Sequence, residues 1–172
     1  PEYVTVDYRD GTDATAAHYS SLTDKIEKAV EVIDEALTQY RNPAIMWTGG
    51  KDSTLALHFI VEVARDRGHE IPVAIFIDHF QHFEETIEFV ERWAAGWDVE
   101  LHFAKNDEAG KLVDAPGETI RVDDLSERDV IEVREKLGYE EDTFPFLMDT
   151  LVGNHLFKTV ALNEAIDELG ID

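Results

Sequence analysis

The feature that most constrains this chain is the run Ala44-Ile45-Met46-Trp47-Thr48-Gly49-Gly50-Lys51-Asp52-Ser53-Thr54. Four apolar residues read as a buried strand, a Gly-Gly pair interrupts it, and a lysine, an aspartate and two hydroxyl residues open a long helical pattern. A strand that turns this abruptly into a helix leaves the first helical N–H groups unpaired, and together with the positive end of the helix dipole they favour an anion. Glycine lets the backbone approach such an anion, Lys51 adds a full charge, and the hydroxyls of Ser53 and Thr54 stand where they cap the helix or meet a phosphate oxygen. An ordinary turn with a surface lysine explains each part singly; the whole set suits a phosphate group. The spacing is neither G-x-x-x-x-G-K-[ST] nor G-x-G-x-x-G, so the run is neither a Walker loop nor a dinucleotide fingerprint.

The chain around this run alternates strand and helix signals. Residues 1–20 form a polar, turn-rich N-terminal segment in which only Tyr3, Val4 and Val6 hint at an extended piece. A capping-box pattern at Ser21 and Asp24 opens a helix with Ile26, Ala29, Val30, Ile33 and Leu37 on one face, ending near Tyr40. After the Gly-Gly turn, Leu55, Phe59 and Val63 predict a mostly buried helix closed by Gly68, and Ile71 to Ile77 predict an interior parallel strand. A helix through Ile87, Val90, Trp93 and Ala94 leads to a strand over Val99–Ala104, whose alternation places it nearer a sheet edge. Lys105 to Leu125 reads as a solvated loop or lid turning at Pro116-Gly117, and Tyr139 to Asp149 reads as irregular. Between them Ser126 and Asp129 cap a helix carrying Val130, Ile131, Val133 and Leu137, ended by Gly138; a last helix covers about Asn154 to Leu169. The expected fold is α/β, a doubly wound, mainly parallel sheet with helices on both faces, in one domain over 21–172. In open sheets of this kind ligands bind at the carboxyl ends of the strands, where both the Gly-Gly turn and Asp78 fall.

Composition sets the conditions under which that site works. There are 38 Asp and Glu against 15 Lys and Arg, a net charge of -23. Such a surface repels nucleic acid and anionic membranes, so neither is an expected partner. Acidity spread along the whole chain is the pattern of a protein from a very salty cytoplasm, where screening relieves self-repulsion. With no cysteine in the sequence, disulfides and thiol catalysis by these residues are excluded. No apolar run is long enough to span a membrane and no signal peptide pattern occurs, so the expected location is cytoplasmic. Asp78, His79 and His82 supply enough ligands for a metal, yet they lie on a turn rather than one helical face, and no metal site is assigned.

The run Thr48-Gly49-Gly50-Lys51-Asp52-Ser53 resembles the PP-loop signature Ser-Gly-Gly-Lys-Asp-Ser of the adenine nucleotide alpha-hydrolase-like superfamily, with threonine in place of the first serine. Asp78-His79-Phe80-Gln81-His82-Phe83-Glu84-Glu85-Thr86 resembles the Asp-Thr-Gly-x-x-Phe-x-Glu-Thr segment of the phosphoadenylyl-sulfate (PAPS) reductase and sulfate adenylyltransferase small-subunit branch. Asp78, Phe83, Glu85 and Thr86 match, while His79 and Phe80 replace the usual Thr and Gly. Lys158-Thr159-x-x-Leu162-x-x-Ala165 resembles the segment that follows the variable region in the small subunits. The resemblance covers 21–172, and the family's later Gly-x-Arg-Arg-Asp-Glu segment is not found, so the chain is expected to lack the family's C-terminal part.

The resemblance implies a site for ATP with Mg2+. Thr48, Gly49, Gly50, Ser53, Thr54, Asp78, Glu85 and Lys158 would bind the nucleotide, and Lys51 and Asp52 would act in the reaction. Asp78 would meet ribose, the adenine amine or a magnesium-bound water, and Lys158 a phosphate or sulfate. The reaction implied is attack of sulfate on the alpha-phosphorus of ATP with release of pyrophosphate. The partners implied are a small-molecule nucleotide and oxyanion, with a GTPase large subunit or a second copy of the chain. Alternatives are a PAPS-reductase-family nucleotide-binding domain without reductase activity, since that branch uses a C-terminal cysteine, or a non-catalytic ATP-binding module.

Overall fold

The computed structural model describes residues 21–172; the expectation of a polar segment over 1–20 falls outside the described residues. Helix α1 (Leu22–Gln39) begins with the capping box read from the sequence, Ser21 accepting from the Asp24 N–H and Asp24 accepting from the Ser21 N–H. It packs on α2 (Lys51–Arg67), which follows β1 (Ala44–Met46) and ends at Gly68 in the left-handed conformation that closes helices. Then come β2 (Val73–Ile77), α3 (Glu84–Trp97) and β3 (Leu101–Ala104). The three strands form one parallel sheet in the order β1-β2-β3, with Ile45 opposite Ala74 and Ile75 opposite His102.

Alternation along β2 divides the core. Ala74 and Phe76 face α2 and α3, where Leu57, Val61, Val90 and Ala94 are buried with Trp47. Ile75 points the other way and joins Ala104, Ala165 and the partly buried Leu162 of the C-terminal helix. Helices therefore cover both faces of a central apolar strand, as a parallel sheet requires. Leu55 was expected in the buried stripe but is 55 % exposed, because the α2 face that packs is Leu57, Val61 and Ala64. Both β1 and β3 are edges among the described residues, and Met46 is accordingly 39 % exposed.

The stretch after β3 departs most from the sequence expectation. The segments read as a solvated loop and as irregular chain pair with each other: β4 (Thr119–Arg121) lies antiparallel to β5 (Thr143–Pro145), Ile120 opposite Phe144. A short helix α4 (Asp107–Gly110) precedes this ribbon, and α5 (Glu127–Ile131) runs into π-helical turns over Glu132–Lys136. Helix α6 (Leu151–Asn154), π-helical turns over His155–Val160 and α7 (Ala161–Leu169) make one continuous rod that starts earlier than periodicity suggested. Ile120, Val122, Val133, Phe144, Phe146, Leu156 and Phe157 form a second core under the ribbon. A two-residue alternation only three residues long is too short to stand out among the charges of 105–125.

Asp129 is a second correction. Its N–H is capped by Ser126, but its carboxylate is fully buried and accepts from Asn106 Nδ2 at 2.9 Å and Arg128 Nε at 2.9 Å. Arg128 also reaches Glu164 of α7, so this network ties the end of β3 to α5 and the rod. The two π-helical stretches are joined by His155 Nε2 and Glu132 Oε2 at 2.8 Å. Burial alone would raise the Glu132 carboxyl, but hydrogen bonds from Lys136 and His155 outweigh it and hold the group below the ordinary glutamate range.

Two stability tests follow. A Cβ at Gly153 would overlap the Leu147 carbonyl oxygen and lie 2.8 Å from Thr150 Oγ1. Gly153→Ala, usually favourable within a helix, is therefore expected to destabilise by about 1–3 kcal/mol in denaturant unfolding. Asp129→Ala, which strands buried Asn106 and the Arg128 guanidinium, is expected to cost roughly 3 kcal/mol in the same measurement.

Candidate functional site

The site is built from the carboxyl end of β1. Trp47, wholly buried, closes the ladder with its N–H donating to the Ile75 carbonyl at 2.9 Å, and its indole Nε1 donates to Thr54 Oγ1 at 2.9 Å. That bond pins the first turn of α2 to the strand that precedes it. The intervening turn is shaped by Gly49, whose φ of 74° suits glycine, and where a Cβ would press on Val90 of α3 at 3.2 Å. Ser53 Oγ donates to the Gly50 carbonyl at 3.1 Å, accepts from the Thr48 N–H at 3.3 Å and lies 3.0 Å from Thr48 Oγ1. The loop is thus held by its own hydroxyls.

Gly50 is the helix N-cap and offers no side-chain cap, so the opening N–H groups of α2 face the turn. Lys51 and Asp52 project from it with side chains 88 % and 87 % exposed, paired to each other at 2.7 Å. Thr48 and Gly50 are exposed, while Ser53 and Thr54 are half-buried. The hydroxyl of Thr54 is committed to Trp47, on the core side of the turn.

β2 ends beside β1, and there Asp78 Oδ1 accepts from the Phe80 N–H at 2.9 Å. This carboxylate-capped turn holds Phe80 at a φ of 62°, a conformation rare for a bulky residue. The Phe80 ring lies against Gly110, where a Cβ would collide with it, and meets Phe157 edge-on at 6.1 Å between centroids. Gln81 Nε2 donates to the Phe146 carbonyl at 3.0 Å. The loop after β2 is thereby clamped between the sheet and the second core.

His79 and His82 stack with ring centroids 3.8 Å apart. His82 Nε2 donates to the Ile77 carbonyl at 2.8 Å, and His79 Nδ1 accepts from the Gln81 N–H at 3.3 Å. Burial, then the neighbouring His82 and Lys158, holds His79 well below its ordinary value, at about 4, against the smaller opposing effects of a hydrogen bond to its own backbone and of Asp78. Lys158, on the π-helical part of the rod, follows Phe157, whose ring meets Phe80 of this loop. Glu85 lies exposed in the first turn of α3.

The structure accordingly brings the Thr48–Thr54 turn and Asp78 to neighbouring strand ends and sets Lys158 beside the His79 loop, while Glu85 faces solvent. His79, His82 and Gln81 have no assigned role in the sequence reading; the i, i+3 histidines beside Asp78 were the available signal. A separate cleft of about 630 Å³ lies between β3 and α7. Its lining, with Asp107, Glu164, Asp167 and Glu168 against Lys105 and His102, has the wrong charge for a nucleotide. Among the described residues no helix is long and apolar enough to cross a membrane.

Comparison with known proteins agrees with this architecture. Residues 42–123, from just before β1 into the ribbon, match the phosphoadenosine phosphosulfate reductase domain model. The chain is 24 % identical over 147 residues to sulfate adenylyltransferase subunit 2 of Rhizobium meliloti, covering 84 % of this chain and 38 % of that protein. With the same subunit of Brucella anthropi it shares 25 % over 162 residues, covering 90 % and 43 %. The chain thus spans less than half the length of these curated relatives. The crystal structure of a phosphoadenylyl-sulfate (PAPS) reductase from Candida auris, a phosphate complex, superposes with a TM-score of 0.53 at 23 % identity, over 84 % of this chain and 57 % of that one. At that identity the likeness establishes the fold, an α/β sheet of PAPS reductase type. The likeness to the phosphoadenosine phosphosulfate reductase domain is thus carried by residues 42–123, and most of the chain shows distant similarity to sulfate adenylyltransferase subunit 2.

Proposed function

We propose that residues 21–172 form a nucleotide-binding domain that holds ATP at the Thr48–Thr54 turn and serves adenylyl transfer of the sulfate-assimilation type, ATP and sulfate giving adenylyl sulfate and pyrophosphate. The observation that carries this reading is the turn itself: a positive-φ glycine, an uncapped helix start and an exposed lysine at the carboxyl end of a parallel strand. The names of the relatives, sulfate adenylyltransferase subunit 2, support the choice of reaction.

In this reading the chain contributes placement and charge rather than covalent chemistry. The N–H groups opening α2 and the Lys51 ammonium would neutralise the departing pyrophosphate, Lys51 exchanging its exposed partner Asp52 for phosphate. Ser53 and Thr48 keep the loop in shape, and Gly49 sets its backbone. Magnesium bound with the nucleotide would supply further charge neutralisation. Asp78, with Oδ1 engaged by Phe80 and Oδ2 without a partner among the described residues, fits a magnesium-bound water or a ribose hydroxyl. Glu85 and Thr54 take lesser parts, one exposed at the rim and one turned toward Trp47.

The same reading places the protein in a salt-rich cytoplasm, consistent with its net charge of -23, and gives it a GTPase partner subunit or a second copy of itself. A second reading is nucleotide binding without turnover, which the titration and turnover measurements below separate from the first. Thiol-dependent reduction by these residues is ruled out by the absence of cysteine.

Calorimetric titration with a non-hydrolysable ATP analogue and magnesium in molar KCl tests the site, followed by pyrophosphate release with sulfate. The wild-type chain is expected to bind the analogue. Lys51→Ala is expected to lose roughly 2–4 kcal/mol of transition-state stabilisation in turnover. Unchanged turnover in that variant sinks the assignment, and binding without pyrophosphate release selects the second reading.

A further inference from the structure

A strand in a parallel sheet bonds to its neighbour through alternate residues, and at the rim of the sheet the residues between them face outward. The Glu100 and Ala104 carbonyls accept from the Ala74 and Asp78 N–H groups, both at 2.8 Å, so the residues of β3 bonded to β2 are Glu100, His102 and Ala104. The backbone N–H and C=O groups of Leu101 and Phe103 therefore point away from β2. β3 ends the order β1-β2-β3, and among the described residues no hydrogen bond meets these outward groups. Both residues are half-buried, and the edge is open to a further strand.

The cleft of about 630 Å³ lies along this edge, with α7 as its opposite wall. Ala161 and Ala165, four residues apart and so on one helical face, keep that wall low. Glu164 and Glu168 repeat the same spacing, and Asp167 lies beside them. The charge on this wall is only partly matched. Glu164 is engaged by Arg128, and Asp107 pairs with Lys105 at 3.5 Å. Asp167 and Glu168 are exposed and, among the described residues, have neither an ion pair nor a side-chain hydrogen bond. Ala104 packs with Ala165, and His102, two residues earlier, turns to the same side of the strand.

We infer that the β3 edge and the α7 wall form a docking groove for an extended segment of a partner protein carrying basic side chains at alternate positions. Backbone pairing to Leu101 and Phe103 supplies the hold. Every second side chain of the added strand then points onto α7, where lysine or arginine meets Asp167 and Glu168, and the short Ala161 and Ala165 leave room for its stem. Charge selects this occupant. A second copy of the chain brings a net charge of -23 and the same carboxylates, so edge-to-edge pairing would set like charges together. A free polyamine would match the carboxylates but leave the donors and acceptors of the strand unused. The inference does not rest on the nucleotide reading, because the groove follows the edge of the sheet away from β1 and its Gly-Gly turn.

The test titrates the full chain with the peptide acetyl-Thr-Lys-Thr-Arg-Thr-Lys-Thr-amide, whose β-branched residues favour an extended strand and whose cations share one face. Binding is followed by NMR and amide hydrogen exchange in about 0.5 M and about 2 M KCl. One peptide is expected per chain, with exchange of the Leu101 and Phe103 N–H groups slowed at least about tenfold. Only one edge of the peptide faces β3. Two forms N-methylated on alternate sets of backbone nitrogens are therefore expected to differ, one binding at least about tenfold more weakly and the other close to the parent. A variant combining Asp167→Asn and Glu168→Gln is expected to bind about threefold more weakly at the lower salt, with the difference shrinking at the higher. Both residues are exposed, and circular dichroism verifies that the variant is folded.

Equal binding by the parent and both methylated forms, or unchanged exchange at Leu101 and Phe103, overturns the proposal. Equal binding of the peptide with glutamate in place of its lysines and arginine also overturns it, since charge would then play no part. Protection of the two N–H groups that grows with protein concentration in the absence of peptide, together with a dimer in sedimentation, assigns the edge to a second copy and overturns it as well. Titration with the ATP analogue is expected to be unaffected by the peptide, so failure of the analogue to bind counts against the nucleotide reading alone.

Discussion

The burial of Trp47 is the constraint on which the arrangement depends. Its backbone N–H completes the β1–β2 ladder, its indole holds Thr54 in the first turn of α2, and its ring meets Phe89 and Trp97 of α3 at 6.3 and 6.4 Å between centroids. One side chain therefore sets the angle at which the strand becomes a helix and the distance of that turn from the next crossover helix. An indole N–H buried without an acceptor would carry a penalty of about 1–3 kcal/mol, so the Thr54 hydroxyl is needed where it is. This explains why a residue that could face a ligand faces the core: in Thr54 the structural demand wins.

The second organising contact is the loop after β2. A parallel sheet presents its strand ends to ligands, but three strands supply only part of a site wall. The second core supplies another, through Phe80 on Gly110 and Phe157 and through Gln81 on the Phe146 carbonyl. The positive φ of Phe80 is sustained by the Asp78 carboxylate on one side and by aromatic packing on the other. Strain of this kind persists only where the surroundings over-determine it, and here those surroundings tie the loop to the C-terminal rod through Phe157.

Electrostatics gives the molecule its contrast. The buried Asp129 is matched by Asn106 and Arg128, and Glu132 by Lys136 and His155, so acidic groups in the second core are neutralised locally. The basic groups at the strand ends are not treated the same way: Lys51 pairs only with its exposed neighbour Asp52, and Lys158 with nothing among the described residues. An exposed pair of adjacent residues in water is worth little and is readily exchanged.

Much of the first half was legible from local rules. The Ser21 capping box, the Gly68 helix end, the apolar run of β2 and the Gly-Gly turn each rest on interactions within a few residues, so the three-stranded α/β arrangement over 22–104 follows from the chain directly. The sequence by itself also determined the net charge of -23 and the absence of thiol chemistry, both being sums over residues. Only the tertiary structure decided that Thr119–Arg121 pairs with Thr143–Pro145, that Asp129 turns inward, that Leu55 turns outward, and that Phe80 packs on Phe157. The physical reason is separation along the chain: these outcomes depend on contacts between residues two or more turns or strands apart, where local periodicity carries no signal and burial against a distant partner decides the orientation.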